Sequence, residues 1–397
     1  MKVLVVNCGS SSLKAQLMET DTAEVFANAY CERVGINGSF MTYKKNGEKH
    51  VIEREMPTHT DAFKLLIETL LSKDLGVISS LDEIKAIGHR AVNFGEQYTK
   101  SMLITKELIP ELEKTMHFAP LHNPAIMQGI KACFEVMPGK KNVAVFDIGF
   151  HATMPEKAYM YAIPYEYYEQ HKVRRYGAHG TSHRYIARTL GEMLGGLEGK
   201  KVISCHIGSG SSVCAIKDGK SVDTSMGFTP LAGLVMGSRS GDIDPAIVKT
   251  IMDIEKCSVD EAINILNKKS GLYGLTGGLT DMRDIDANLD KPKVKLAFDM
   301  LVYSIKKYIG AYAAAMNGVD YIVFTAGIGE KDELVREAVC KDMEYLGIEL
   351  DAEKNVKQNK PFGDVLEITK PTSKVKVLRI PTDEEFMIAL DTAELVK

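Results

Sequence analysis

Two α/β domains, the second built like the first, are what this sequence of 397 residues predicts, and three observations carry that expectation. The length exceeds what a single core ordinarily serves. Short β-branched runs at residues 3–6, 86–89, 143–146, 202–206 and 321–325 alternate with stretches of helical periodicity, as in a sheet whose central strands are largely parallel. A strand, a Gly/Ser turn and a second apolar strand occur twice, about 200 residues apart, which is the mark of an internal duplication.

In chain order, the run at residues 3–6 is too short for the apolar region of a signal peptide, and Asn7-Cys8-Gly9-Ser10 ends it. No apolar run approaches the roughly 18–20 residues of a membrane helix, so the expectation is a cytosolic protein that meets no membrane. The first hairpin is Val5-Val6-Asn7-Cys8-Gly9-Ser10-Ser11-Ser12-Leu13-Lys14. Residues 61–71 and 296–316 read as helices; in the second, Phe298, Leu301, Ile305, Tyr308, Ile309, Tyr312 and Met316 form one stripe. The second hairpin runs from Ile203-Ser204-Cys205-His206 through Gly208-Ser209-Gly210 to Ile216. In both, a polar residue (Asn7, His206) ends the first strand, and small residues follow that let backbone N–H groups approach phosphate oxygens. Two familiar phosphate motifs fail. Gly219-Lys220-Ser221 lacks the earlier glycine of a P-loop, Cys214 standing there. Gly208-Ser209-Gly210-Ser211-Ser212-Val213 ends in valine where a dinucleotide fingerprint needs Gly or Ala.

The chain is 45% hydrophobic and 26% charged, as globular enzymes are. Its net charge of −4 offers nothing global to nucleic acid, so an anionic substrate must be held by local cations and individual arginines matter. Seven cysteines, without a Cys-x-x-Cys pair, read as reduced, buried thiols.

The first hairpin resembles the N-terminal signature of acetate kinases. Further matches follow in order: Gly88-His89-Arg90, Ala119-Pro120-Leu121-His122-Asn123-Pro124-Ala125, Arg174-Arg175-Tyr176-Gly177 with His179-Gly180-Thr181-Ser182-His183, and residues 223–245 with Arg239-Ser240-Gly241-Asp242. Asp281-Met282-Arg283-Asp284, Thr325-Ala326-Gly327-Ile328-Gly329-Glu330 and Ile380-Pro381-Thr382-Asp383-Glu384-Glu385 complete them, so the similarity spans the whole chain. It implies a duplicated actin/hexokinase/Hsp70-like (ribonuclease-H-like) fold with an active-site cleft between domains. The domains would be residues 1–150 with a C-terminal helix at 385–397, and a nucleotide-binding domain at 151–384. It also implies a homodimer, and reversible transfer of the ATP γ-phosphoryl to acetate, giving acetyl phosphate and ADP, with Mg²⁺ or, in its place, Mn²⁺.

A carboxylate attacking a phosphoryl group brings two anions together, so the site must supply positive charge and hold the reactants in line. Arg90 and Arg239 suit that task, because a guanidinium stays charged and grips oxygens in a fork. By resemblance, His179 hydrogen-bonds the transferring phosphoryl group, Asp147 orients Arg90 or the metal shell, and Asn7 and Glu384 bind Mg²⁺. Lys14, Ser10, Ser12, His206, Gly208, Ser209, Gly210, Asp281, Met282, Arg283, Gly327, Gly329, Glu330 and Lys331 match nucleotide-binding positions. His122 and His206 match residues that line the cleft, where each is as readily structural as catalytic. His179 and His183 as a metal pair are set aside, since no Glu stands where a zincin helix needs it. The segment Thr382–Glu385 also scores as a capping box, with Thr382 as N-cap and Glu385 three residues on.

This sequence departs from the family pattern at several positions. Asn93-Phe94 replaces His-Gly, Ser209 replaces Asn, and Lys331-Asp332 replaces Asn-Ser. Ala178 replaces the Phe that, with positions matching Val92, Leu121 and Pro230, shapes the pocket for the substrate methyl. An open pocket would widen acyl range toward propionate or another short-chain acid, unless Phe94 refills it. A chaperone- or filament-like ATPase of the same fold is the reading from another class; it would have no use for the acceptor-side set Arg90, Asp147 and Val92.

Overall fold

The computed structural model describes residues 1–120, 122–356 and 364–397. The chain divides into two compact units, Met1–Gly149 with Asp383–Lys397, and Phe150–Thr382.

The first unit holds β1 (Lys2–Gly9), β2 (Ser12–Glu19), β3 (Val25–Glu32), β4 (Phe40–Lys45), β5 (Glu48–Glu53), β6 (Ala86–Ala91), β7 (Met102–Ile104) and β8 (Lys141–Phe146), in the order β5-β4-β3-β2-β1-β6-β8-β7. β1 runs antiparallel to β2 and parallel to β6, which is parallel to β8. Val3–Val6 is a continuous apolar run because both faces of the sheet are covered. Leu4 and Val6 join Phe63 and Leu66 of helix His59–Leu71 and Cys133 of helix Asn123–Val136. Val3 and Val5 pack with Val143, Val145, Ile388 and Ala389 beside helix Glu384–Val396. Gly88 lets that helix descend on β6: a Cβ there would stand 2.3 Å from Thr392 Oγ1 and 2.8 Å from Ile388 Cγ2. Helix His59–Leu71 begins two residues before the predicted residue 61, because Thr58 and Asp61 form a capping box.

The second unit holds β9 (Lys201–Ile207), β10 (Ser211–Lys217), β11 (Lys220–Thr224), β12 (Tyr321–Thr325), β13 (Leu366–Glu367) and β14 (Lys376–Arg379), in the order β11-β10-β9-β12-β14-β13. The block β3-β2-β1-β6-β8 thus returns as β11-β10-β9-β12-β14: an antiparallel meander whose first strand pairs in parallel with a fourth strand, which pairs in parallel with a fifth. Duplication is visible in topology as well as in the hairpin sequences. Helix Pro292–Ala315 lays its stripe on one face, with Phe298, Leu301, Ile305, Ile309, Tyr312 and the following Met316 buried. Tyr308 is the exception; it is partly buried and its hydroxyl donates to Asp242 Oδ2. Ile186 and Leu190 of helix Gly180–Leu194 cover the other face, over Val202, Cys214 and Val323.

The C-terminal helix corrects one expectation. Its N-cap is Asp383, whose carboxylate accepts from Phe386 N–H at 2.8 Å, so Glu384 and Glu385 are its first two residues and no Thr382 capping box forms. Thr382 is engaged elsewhere: its hydroxyl lies 2.8 Å from Ser182 Oγ and its N–H donates to Glu330 Oε1 at 3.1 Å. A carboxylate also suits the positive end of a helix better than a hydroxyl does. No helix among the described residues is long and apolar enough to cross a membrane, and all seven cysteines are free thiols.

Candidate functional site

In the first unit, the β1–β2 register sets Asn7 opposite Lys14 and Gly9 opposite Ser12, with Ser10 at the exposed tip. Asn7 and Lys14 line a cavity of about 550 Å³ together with Gln16, Asn28, Lys44 and Glu385; Ser10 and Ser12 do not. The Lys14 ammonium stands 5.2 Å from the centre of the Tyr30 ring.

Arg90 near the end of β6 and Asp147 just past β8 are neighbours because those strands pair in parallel. Arg90 Nη2 donates to Asp147 Oδ2 at 2.9 Å, and Asp147 has no exposed surface. The carboxylates of Asp147, and then of Glu384 and Glu385, hold the Arg90 pKa above its ordinary value against the opposing effect of burial. Glu384, the first residue of the C-terminal helix, is pushed up to about 7 by burial, with Asp147 and Glu385 adding to the shift and Arg90 and Lys14 opposing it. Two polar atoms here are buried without a hydrogen-bond partner, Arg90 Nε and Glu384 Oε1. Val92 is buried just past β6. Phe94 is fully buried as well, its ring 5.8 Å from that of Phe146 and tilted 67° to it. Leu121 lies outside the described residues.

In the second unit, His179 is the N-cap of helix Gly180–Leu194 and takes a left-handed backbone (φ 56°), an uncommon conformation for a residue with a side chain. A Cβ placed on Gly210, in the turn of the β9–β10 hairpin, would stand 3.4 Å from His179 Nε2 and 3.5 Å from Arg239 Nη1. A hydrogen-bonding nitrogen and a cation therefore converge on the small-residue turn. Arg239 Nη1 is anchored by donating to Pro230 O at 3.0 Å, and the loop carrying it is tied to the hairpin by Gly237 N–H to Ser209 O at 3.1 Å. The His179 ring stacks on His206 at 4.0 Å, while His206 Nδ1 lies 2.8 Å from Ser182 Oγ. Ala178 is buried among Met226 and Met236, and its carbonyl accepts from His151 Nε2–H at 3.0 Å.

A second cavity of about 830 Å³ is lined by Ser209, Asp281, Met282, Arg283, Gly327, Glu330 and Lys331, among others. These residues come from three segments far apart in the chain, and the fold brings them together. Asp281 caps helix Met282–Asp286 by accepting from Arg283 N–H at 2.9 Å, and its other oxygen accepts from the exposed Arg283 guanidinium. Gly208 and Gly210 belong to the adjoining hairpin without lining this cavity. Gly329 does not line it either: a Cβ there would sit 3.4 Å from Phe324 C and 3.5 Å from Cys205 O, so this glycine lets helix Ala326–Lys331 rest on the sheet.

Sequence reasoning missed several residues. His151 and the serines around the histidines gave no local signal, because cross-strand register assembles them. Asp286, Asp332, Arg336 and Arg379 also line the second cavity. Burial, with Asp332 and Glu333 nearby, pushes Asp286 up to about 6, and Asp286 Oδ1 and Asp332 Oδ2 are buried without a hydrogen-bond partner. Burial, with Arg379 nearby, pulls Arg336 down to about 10, although its guanidinium donates to Asn355 Oδ1 at 2.8 Å and to Gly329 O at 3.0 Å.

The duplicated sheets and the small-residue hairpins flanked by cationic groups define a kinase of the actin/hexokinase-like class. Within that class the chain belongs to the acetokinase family, whose model matches residues 2–390; it is accordingly a phosphotransferase with a carboxyl group as acceptor. The acetate kinase of Thermotoga maritima is 55% identical over 401 aligned positions, covering 100% of this chain and 99% of that protein. Among solved structures, the acetate kinase of Porphyromonas gingivalis superposes with a TM-score of 0.95 at 46% identity, covering 100% of both chains. A propionate kinase from Francisella tularensis gives 0.92 at 38% identity, over 99% of each chain.

Proposed function

We propose that the chain catalyses reversible transfer of the ATP γ-phosphoryl to acetate, by direct in-line displacement. An acetate oxygen attacks the γ-phosphorus, the bond from that phosphorus to the bridging oxygen breaks, and ADP leaves with the electron pair. Acetate ionises without help, so no general base is required. Positive charge and alignment are what the protein must supply. Arg90, held by the buried Asp147, takes the acceptor carboxylate; Arg239 and His179 receive the charge that develops on the phosphoryl oxygens. The convergence of His179 Nε2 and Arg239 Nη1 on Gly210 is the observation that supports this reading most directly. The second cavity suits the nucleoside, with Ser209, Asp281–Arg283, Gly327, Glu330 and Lys331 around it; Gly208, Gly210, His206, Lys14, Ser10 and Ser12 are assigned to the phosphates.

For Mg²⁺, the orphaned Glu384 Oε1 is an uncompensated ligand oxygen of the hard kind that this ion takes, and Asn7 would be its partner. No group of three potential ligand side chains exists among the described residues, so bound Mg²⁺ would draw on water and phosphate oxygens, as it commonly does. When bound, it would offset negative charge on the phosphates. Unpaired thiols suit a reducing compartment, in keeping with the cytosol. A homodimer through the second unit is supported by helices Ala246–Glu255 and Val259–Lys268, which leave Ile247, Ile254, Val259 and Ile263 exposed.

The test is acyl phosphate trapped as hydroxamate, with acetate, propionate and butyrate compared under ATP and Mg²⁺. ATP- and acetate-dependent hydroxamate is the expected result; its absence with every acid would overturn the proposal. Propionate as an equal substrate is a second reading, favoured by Ala178 in the position of the family's Phe.

A further inference from the structure

His179 ends a chain of buried side chains in the unit Phe150–Thr382. Its Nδ1 lies 2.9 Å from Ser212 Oγ, which lies 2.8 Å from His183 Nε2, and His183 Nδ1 lies 2.9 Å from Ser204 Oγ. Ser204, Ser212 and His183 have no exposed surface. The β9–β10 register, which pairs Ser212 with His206 and Cys214 with Ser204, puts both serines on the face that helix Gly180–Leu194 covers. His183, four residues after His179 on that helix, reaches both of them.

The protons in this chain can run in only two directions. Burial, with His151 and His206 nearby, holds the His183 pKa well below its ordinary value, so its ring carries one proton. Suppose the His179 proton sat on Nδ1. His179 would donate to Ser212, Ser212 to His183 Nε2, and His183 Nδ1–H to Ser204. The Ser204 hydroxyl proton would then lack an acceptor, because among the described residues that hydroxyl has no other hydrogen-bond partner. A buried donor left without an acceptor is the costly case. The opposite direction gives every buried donor of the chain an acceptor: Ser204 donates to His183 Nδ1, His183 Nε2–H to Ser212, and Ser212 to His179 Nδ1. His179 then carries its proton on Nε2, the nitrogen turned toward Gly210.

We infer that Ser204, His183 and Ser212 are positioning residues for phosphoryl transfer, a directional relay that fixes His179 as the tautomer able to donate from Nε2 to an anion. The inference rests on the reading of His179 as a hydrogen-bond donor to the transferring group. It separates the roles of the two faces of the ring: Nδ1 is committed to the relay and Nε2 to the reaction.

Nitrogen-15 NMR of histidine-labelled protein at pH 8 tests this, with His179 assigned from the spectrum of His179→Gln. The expected wild-type signal has Nε2 protonated and Nδ1 bare. Ser212→Ala and Ser204→Ala should each shift His179 toward the Nδ1-protonated form, although Ser204 does not touch it. Ser212→Ala should lower kcat about tenfold with KM changed less than about twofold, one hydrogen bond's worth felt in the transition state. Ser212→Thr, which keeps the hydroxyl, should restore both tautomer and rate. A wild-type proton on Nδ1, or His179 signals unchanged in both alanine variants, would overturn the relay. Full turnover in His179→Gln would instead overturn the catalytic reading of His179, and the relay's role in the reaction with it, whatever the tautomer.

Discussion

Arg90 donates to Asp147 across the parallel pairing of β6 and β8, and this ion pair is fully buried at its carboxylate and partly exposed at the arginine side chain. A guanidinium so anchored cannot swing to another partner and keeps its charge at any working pH. Arg90→Ala should lower kcat by about 10²–10³-fold, the scale of removing one preorganised charge-stabilising donor. Asp147→Asn should act mainly by loosening Arg90, raising KM for the carboxylic acid more than KM for ATP. Steady-state kinetics with both substrates varied checks this; near-native kcat in Arg90→Ala would remove that residue from the mechanism.

Arg239 approaches the β9–β10 hairpin from a loop tied to it by the Gly237 N–H to Ser209 O hydrogen bond, and its guanidinium is held by Pro230 O. Arg239→Ala should cost a similar factor in kcat and leave the thermal midpoint nearly unchanged, whereas Arg239→Lys should recover only part of the rate, since an ammonium lacks the fork. Equal activity of the lysine and wild-type proteins would reduce Arg239 to a point charge.

Asp383 and Glu384 are adjacent and should give different phenotypes. Removing the cap in Asp383→Ala should cost about 0.5–2 kcal/mol of stability and leave the Mg²⁺ requirement alone. Glu384→Gln should raise the Mg²⁺ concentration for half-maximal rate. Magnesium titrations and urea unfolding on both variants decide the matter; exchanged phenotypes would reverse the assignment.

Much of this architecture was legible beforehand. All five anticipated strands and both hairpins are present, because apolar runs and small-residue turns are local signals. Thr382 was misread as a cap because a capping box is defined by spacing alone, and spacing cannot reveal that Asp383 offers a better-placed oxygen while Ser182 and Glu330 occupy Thr382. The relay of Ser204, His183 and Ser212 was illegible for a different reason. Cross-strand register and a helix packed over it create those contacts, and neither is written in residue order.

Ala178 packs with Met226 and Met236, flexible side chains able to yield to a larger substrate. Propionate should therefore be used with kcat/KM within about tenfold of acetate, the low end of the roughly 10–200-fold (about 1–3 kcal/mol) that one methylene is worth in an apolar pocket. Phe94 is buried against Phe146, so Phe94→Gly should chiefly cost stability, about 3–5 kcal/mol on the scale of losing a buried ring. Strong rejection of propionate by the wild type, or a stable Phe94→Gly protein with widened acyl range, would make Phe94 the gate.

Asp286 provides a pH signature. Its folded pKa, near 6, lies above the ordinary 3.8, so the folded state holds the proton more tightly. The penalty for its charge is absent below the unfolded value, grows as pH rises between the two, and is complete above about 6. Asp286→Asn should therefore raise the thermal midpoint at pH 8 and not at pH 4. An equal effect at both values would refute the electrostatic cause.

Helix Glu384–Val396 belongs to the first unit though it is the last element of the chain. During synthesis, Val3, Val5, Val143 and Val145 are made early, but the residues that cover them emerge only after the entire second unit. The first sheet must therefore wait, one apolar face bare, while more than two hundred residues are added at a ribosome's pace of about 5–20 per second. For this chain the vulnerable species is the nascent one: a stall or truncation ahead of residue 384 strands an apolar surface that the finished molecule never displays.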